Sequence, residues 1–263
     1  TRLAPVERKG VDLVFAIDVS QSMDAEDVKP NRLEKAKFEI SQMIRKLKGD
    51  RVALVVFAGS SHLYLPLTTD YEAAQLFLDG IDTKLIPTQG TDLSTAIQTG
   101  MSAFTEESEH YKVFVLVTDG EDHEGTAIDL AEKASNQGMI IHTVGVGTET
   151  GSLIPIIEKD ESREYKRDRQ GILVTSVLNE GLLRDIAYAG NGIFVRFDNR
   201  AASHREIMTA IDTMEKRTIQ SHVYAEFEDR YQTFAFLSFL FLGVSMILPT
   251  RKKEESTWRG RIV

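Results

Sequence analysis

The sequence predicts an α/β protein built on a doubly wound, mostly parallel sheet with helices on both faces. Three observations predict it. Short apolar, β-rich runs alternate with amphipathic helical stretches from residue 11 to residue 216. Two of those runs, 51–58 (RVALVVFA) and 112–118 (KVFVLVT), are apolar almost throughout, as in strands covered on both sides. Asp18 and Asp119 fall at the carboxyl ends of two predicted strands, where the sites of such sheets form.

The elements follow in order. Residues 11–18 read as the first strand; Asp12 and Asp18 within the run 11–19 make it unlike a signal sequence. Because the chain opens on Thr1 rather than methionine, it is expected to be a trimmed portion of a longer one. Asn31 opens a helix with Leu33, Ala36, Ile40, Ile44 and Leu47 on one face. Glu34 stands where a capping-box side chain would reach back, and Gly49 would close the helix. After strand 51–58, a short strand at 62–65 precedes Pro66, which suits a sheet edge. A helix over 71–78 and the loop 87–92 come next. The following helix buries Leu93, Ala96, Ile97, Gly100, Met101 and Phe104. Strand 112–118 ends at Asp119-Gly120. Further on come a helix with Ala127, Leu130, Ala131 and Ala134, a strand at 139–146, a helix over 182–188, a strand at 192–197 and a helix over 202–216.

Residues 148–177 interrupt the alternation. Ten of the twelve residues 158–169 are charged, so the excursion reads as a projecting hairpin or loop. Residues 231–250 carry no charge and have an apolar centre at 234–248, close to the roughly twenty residues that a spanning helix needs. Tyr231 at one boundary and Arg251-Lys252-Lys253 after the other predict a transmembrane helix with a cytoplasmic tail. The predicted organisation is a juxtamembrane segment 1–10, an α/β domain 11–216, a linker 217–230, a membrane helix 231–250 and a tail 251–263.

The chain of 263 residues has a net charge of −9 and no cysteine. An acidic body lacks the basic surface of a nucleic-acid binder, and the missing cysteines exclude disulfides, thiolate metal sites and cysteine nucleophiles.

The chemistry-bearing constellation is Asp18-x-Ser20-x-Ser22 with Thr91 and Asp119. Alternate residues past a strand end point the same way, so one carboxylate and two hydroxyls face one point. Thr91 adds a hydroxyl from a glycine-preceded loop, and Asp119 a second carboxylate. Five oxygens with few formal charges suit a hard cation such as magnesium, with manganese or calcium as alternatives. Alone, the triplet is a weak signal, because Asp and Ser are common turn residues. Its specificity comes from the strand-end placement and from the two other segments in the right order.

Residues 15–23, 89–92 and 117–120 resemble the three metal-site loops of von Willebrand factor A domains, over a match of about 11–216. That resemblance implies that Ser20, Ser22 and Thr91 coordinate the ion directly and that Asp18 and Asp119 act largely through water. It further implies that a partner's acidic side chain completes the site, which means binding rather than catalysis. Residues 24–33, 48–52, 57–60, 66–68 and 229–232 are similar to the bacterial Bat (aerotolerance) proteins of the BatA/BatB type. That narrower resemblance implies an inner-membrane protein with its A domain facing the periplasm, working with other Bat proteins and a MoxR-type AAA+ ATPase.

Two other readings stand beside it. His123, in the acidic run 119–124, could serve as base for a metal-activated water in a hydrolase. The chain could instead be an adhesive surface protein, against which the short basic tail speaks. His142 reads as a core or rim histidine, and Gly145, Gly147 and Gly151 as turn residues that miss dinucleotide spacing.

Overall fold

The computed structural model describes residues 10–104, 110–122, 125–157, 163–199, 204–213, 236–240 and 242–243. The chain divides into two units, Thr1–Ile219 and Gln220–Val263. Of the second unit, 236–240 and 242–243 are helical; the remainder of the predicted membrane segment 231–250 lies outside the described residues. Among the described residues no helix is long and apolar enough to cross a membrane.

In the first unit the predicted strands form one six-stranded sheet. β1 is Val11–Asp18, β2 Arg51–Phe57, β3 Ser61–Thr68, β4 Tyr111–Thr118, β5 Met139–Val146 and β10 Asn191–Phe197. Their spatial order is β10-β5-β4-β1-β2-β3. All neighbours run parallel except β3, which returns antiparallel along β2 and carries Pro66 at the sheet edge. The chain leaves β1 toward β2 and later crosses back to place β4 on the other side of β1. The reversal therefore lies between β1 and β4, and Ile17 stands opposite Val117 there.

The alternation of each strand sorts its side chains between two cores. Leu13, Phe15, Ile17, Val52, Leu54, Val56, Val113, Val115 and Val117 face one side. There they meet helix α1 (Arg32–Ile44), helix α2 (Tyr71–Asp79) and the helix 204–213. Val14, Ala16, Ala53, Val55, Phe57, Phe114 and Leu116 face the other side. There they meet α3 (Leu93–Ala103), α4 (Ala127–Asn136) and α5 (Glu180–Ala189). Both faces are covered, which is why the strands are apolar at consecutive positions.

Two local expectations need correction. Asn31 caps α1 by accepting from the Glu34 amide at 2.7 Å, but the Glu34 carboxylate does not complete a capping box; it pairs with Lys37 Nζ at 2.9 Å. The helix also stops at Ile44, five residues before Gly49, because the chain tightens into a turn that still buries Leu47. The excursion is a pair of small antiparallel ribbons, as its hairpin reading anticipated. β6 (Ser152–Leu153) pairs with β9 (Thr175–Ser176), and β7 (Pro155–Ile157) with β8 (Arg163–Tyr165). Residues 158–162, within its charged run, lie outside the described residues.

One position tests the tightness of this packing. A Cβ on Gly100 in α3 would stand 2.1 Å from Cε2 of Phe114 in β4. Gly100→Ala is expected to destabilise the protein by about 1–3 kcal/mol through overpacking, measured as a lowered urea midpoint at unchanged m-value.

Candidate metal centre

β1 ends at Asp18, whose carboxylate is fully buried and held at both oxygens. Oδ1 accepts from the Ser20 amide at 2.8 Å, and Oδ2 accepts from Thr118 Oγ1 at 2.6 Å. The second bond crosses the β1–β4 boundary, so the reversal of strand order fixes this carboxylate directly. A single 3₁₀ turn, Gln21–Asp24, follows, and fully buried Met23 anchors it in the core. The turn brings Ser20 Oγ and Ser22 Oγ to 2.9 Å from each other.

Thr91 arrives on a loop docked against the end of β2. The Gly59 amide donates to Thr88 O at 3.0 Å and the Asp92 amide to Ala58 O at 2.9 Å. A Cβ on Gly59 would meet Gln89 O at 2.7 Å, so glycine permits this approach. The side chain that caps α3 is Asp92, which accepts from the Thr95 amide at 2.9 Å. Thr91 is thus not the cap residue, and its almost fully buried side chain needs another explanation.

Asp119 follows β4 and is also fully buried. Its Oδ2 accepts from Arg32 Nη1 at 2.9 Å and from Ser176 Oγ at 3.0 Å, and its Oδ1 accepts from the Glu121 amide at 3.2 Å. Gly120, at φ +78, turns the chain away in a left-handed conformation. Burial, and then the facing Asp119, push the Asp18 carboxyl up to about 7. Two buried carboxylates held near each other resist joint ionisation, which is the condition a cation relieves.

All five predicted oxygen residues therefore sit at the carboxyl edge of the sheet, on three loops around the β1–β4 crevice. Among the described residues no group of three or more carboxylates and imidazoles is placed to hold a metal. The candidate is a different kind of set, two carboxylates with three hydroxyls, which fits a hard cation that keeps part of its water.

Sequence reasoning missed the layer behind these oxygens. Arg32 has no exposed surface, yet all five of its donors are used. Nε and Nη2 grip the two oxygens of Asp27 at 2.8 Å each; Nη1 reaches Asp119 and Ser176 Oγ; Nη2 also reaches Ser176 O. Asp27 further accepts from the Thr148 amide and hydroxyl. Burial raises the Asp27 carboxyl, but Arg32 and Thr148 together hold it below its ordinary range. Gly147 is more than a turn residue: a Cβ there would stand 2.8 Å from Arg32 Nε. The overlooked signal was a charged residue four positions before Ala36, on the inward stripe of α1.

His142 is a core residue. It is buried, its Nδ1 accepts from the Ile193 amide at 3.0 Å, and burial pushes it down to about 4. His123, the base of the hydrolase reading, lies outside the described residues.

Comparison with known proteins agrees with this fold. The von Willebrand factor type A domain profile matches residues 13–121. The chain is similar to the crystal structure of a conserved hypothetical protein, BatB, from Bacteroides thetaiotaomicron, with 40% identity and TM-score 0.75. That match covers 79% of this chain and 100% of the other. It is equally similar to an aerotolerance-related membrane protein of Bacteroides fragilis NCTC 9343, with 40% identity, TM-score 0.74 and coverage of 78% and 100%. Among curated proteins, a UPF0353 protein of Nocardia farcinica is 29% identical over 231 residues, covering 82% of this chain and 66% of the relative. One from Mycobacterium sp. strain KMS is 29% identical over 195 residues, covering 69% and 57%. The chain thus spans 57–66% of the length of these two curated relatives.

Two outcomes follow. Replacing Arg32 with methionine strands part-buried Asp27 and fully buried Asp119 and should cost about 3–5 kcal/mol, read by chemical denaturation. The Asp18 carboxyl is raised in the fold from 3.8 to about 7, so its contribution to stability is full below pH 4 and is lost as pH rises toward 7. In cation-stripped protein the melting temperature should fall over that window relative to Asp18→Asn. Stabilisation by added magnesium should accordingly be larger at pH 8 than at pH 5.5, as read by differential scanning fluorimetry.

Proposed function

We propose, starting from a chain that belongs to the von Willebrand factor type A family and is related to the Bat aerotolerance-type proteins, that it is a divalent-cation-dependent protein-binding module. The observation that carries the reading is the crevice between β1 and β4. There two fully buried carboxylates, Asp18 and Asp119, follow neighbouring strands, with the Ser20 and Ser22 hydroxyls 2.9 Å apart after β1 and buried Thr91 on the loop docked against the end of β2.

Ser20, Ser22 and Thr91 are the residues to hold magnesium directly, with Asp18 and Asp119 behind them. Asp119 is suited to an indirect role because Arg32 and Ser176 already occupy its Oδ2. Asp18 is similarly committed, by Ser20 and Thr118. A bound dication supplies a positive charge at the surface of an acidic protein, where a partner's carboxylate can complete its coordination. The side chains then act by holding that charge in place. None of the five is asked to move a proton or to form a covalent bond, so the reading is one of binding rather than catalysis.

The wider setting follows from the relatives. The Bacteroides fragilis protein is described as an aerotolerance-related membrane protein. With the uncharged segment 231–250 and the basic tail after it, this supports anchoring in the bacterial inner membrane with the A domain facing the periplasm. The partners proposed are other Bat proteins and a MoxR-type AAA+ ATPase.

Titration calorimetry with magnesium should give one site in the wild-type chain. Thr91→Ala, which removes a single hydroxyl and leaves the Asp92 cap intact, should weaken it by about tenfold or more without lowering the unfolding temperature measured in EDTA. Envelope proteins that co-purify from native membranes in magnesium should be lost both in EDTA and in Thr91→Ala. Retention of the same partners in all three samples overturns the docking role of the cation.

A further inference from the structure

Arg32 carries a permanent positive charge, has no exposed surface, and bonds directly to Asp119, one of the five candidate cation residues. A buried charge in that place weakens a cation site unless a second charge balances it. Asp27 is placed to do so. Its two oxygens take Nε and Nη2 of Arg32 at 2.8 Å each, and its side chain is only 7% exposed. The loop is shaped for this pairing: the Arg32 amide donates to Ala25 O at 3.0 Å, and Val28 is fully buried. Thr148 fixes Asp27 Oδ2 through its amide at 2.8 Å and its hydroxyl at 2.9 Å. The remaining terminal nitrogen of Arg32, Nη1, donates to Asp119 Oδ2 at 2.9 Å and to Ser176 Oγ at 2.6 Å. A guanidinium only donates, so the Ser176 hydroxyl keeps its own proton for Asp119 Oδ2, 3.0 Å away. Glu121 also attracts Arg32, less strongly than Asp27 or Asp119.

We propose that Asp27 is a positioning residue of the cation site, setting the affinity for the ion through Arg32 without touching the ion. The proposal rests on the metal reading above and adds to it the control of that same site. The guanidinium and the cation compete for Asp119. While Asp27 grips the guanidinium through two bonds, the Asp27–Arg32 pair is neutral as a whole, and Asp119 keeps its charge for the ion. Take the Asp27 charge away and the dication faces an unbalanced positive charge behind its own acid, a repulsion that scales with the ion's double charge. The two parallel bonds also hold the guanidinium plane in one orientation, which keeps Nη1 on Asp119. The excursion belongs to this device, because its two ends supply Thr148 to Asp27 and Ser176 to Asp119.

The test is a double-mutant cycle read by calorimetric titration of magnesium into the cation-stripped full chain. The proteins are wild type, Asp27→Asn, Arg32→Gln and the double variant, and near-UV circular dichroism in EDTA checks that each is folded. Asparagine at 27 keeps one oxygen for the Thr148 donors, and the two amides of the double variant can bond to each other. Asp27→Asn should weaken magnesium binding by about tenfold or more, and Arg32→Gln should tighten it by a similar factor. The double variant should return close to wild type, because it removes one charge of each sign. A pair with a merely structural role gives another pattern: both single variants weaken the site, and the double variant does not recover it. Should Asp27→Asn fail to fold, the double variant read against Arg32→Gln removes the same negative charge and should bind about tenfold more weakly. Equal affinity in that comparison, or wild-type affinity in Asp27→Asn, overturns the role of Asp27 and leaves the metal reading standing. Absence of magnesium binding in both wild type and Arg32→Gln overturns the metal reading and the proposal built on it.

Discussion

The buried guanidinium of Arg32 is the constraint on which this end of the molecule depends. It has no contact with water and five donors to satisfy, and an unpaired charge in that position is far more costly than an exposed one. Its acceptors come from three distant stretches: Asp27 after β1, Asp119 after β4, and Ser176 in the return of the excursion. Arg32 thereby ties those stretches to one another. Gly147 after β5 closes against the same group because it lacks a side chain. The excursion is thereby a structural member of the candidate site as well as a projection from the sheet.

The carboxylates are arranged by topology, and their neighbours by local chemistry. Placing β4 beside β1 puts Thr118 Oγ1 in reach of Asp18, and the next residue, Asp119, faces the same crevice. This would leave two like charges together, and the strain is visible in the raised carboxyl of Asp18. Arg32 relieves Asp119 alone. The difference between the two acids, one backed by a cation and the other by hydroxyl and amide donors, gives the site its polarity.

Much of this was legible in the sequence, for identifiable reasons. Strand alternation and helix stripes report burial directly, so β1, β2, β4 and the inward faces of α1 and α3 could be read residue by residue. The five oxygen residues could be named as candidates because each sits at a strand end or in a glycine-marked loop. Arg32 and Ser176 were not, because nothing local marks a partner 144 positions away. Glu39 is similar: it lies on the buried stripe of α1 and is satisfied by Lys35 within the helix and by His204 from a later one. A charge on an inward stripe announces that a partner exists, but its identity requires the tertiary fold. The failed capping box has a shorter-range cause, since Lys37 one turn on competes for Glu34 through a pair that fits the helix surface.

The net charge gives the cation a role that geometry alone would not. A protein at −9 presents a negative field to an approaching acidic segment, weak beyond a Debye length but growing at contact. Without a cation in the β1–β4 crevice, such a segment would meet the field of Asp18 and Asp119 uncompensated and be turned away. With one, attraction is confined to a single point a few ångströms across, and the surrounding carboxylates still repel further acids. On the proposed reading, recognition of an acid by an acidic surface is conditional on the ion. A basic surface would have bound acidic segments with or without metal and with little regard to their neighbours. On the proposed reading, the acidic body and the hydroxyl-rich oxygen set answer one physical requirement: attraction that is local and ion-dependent.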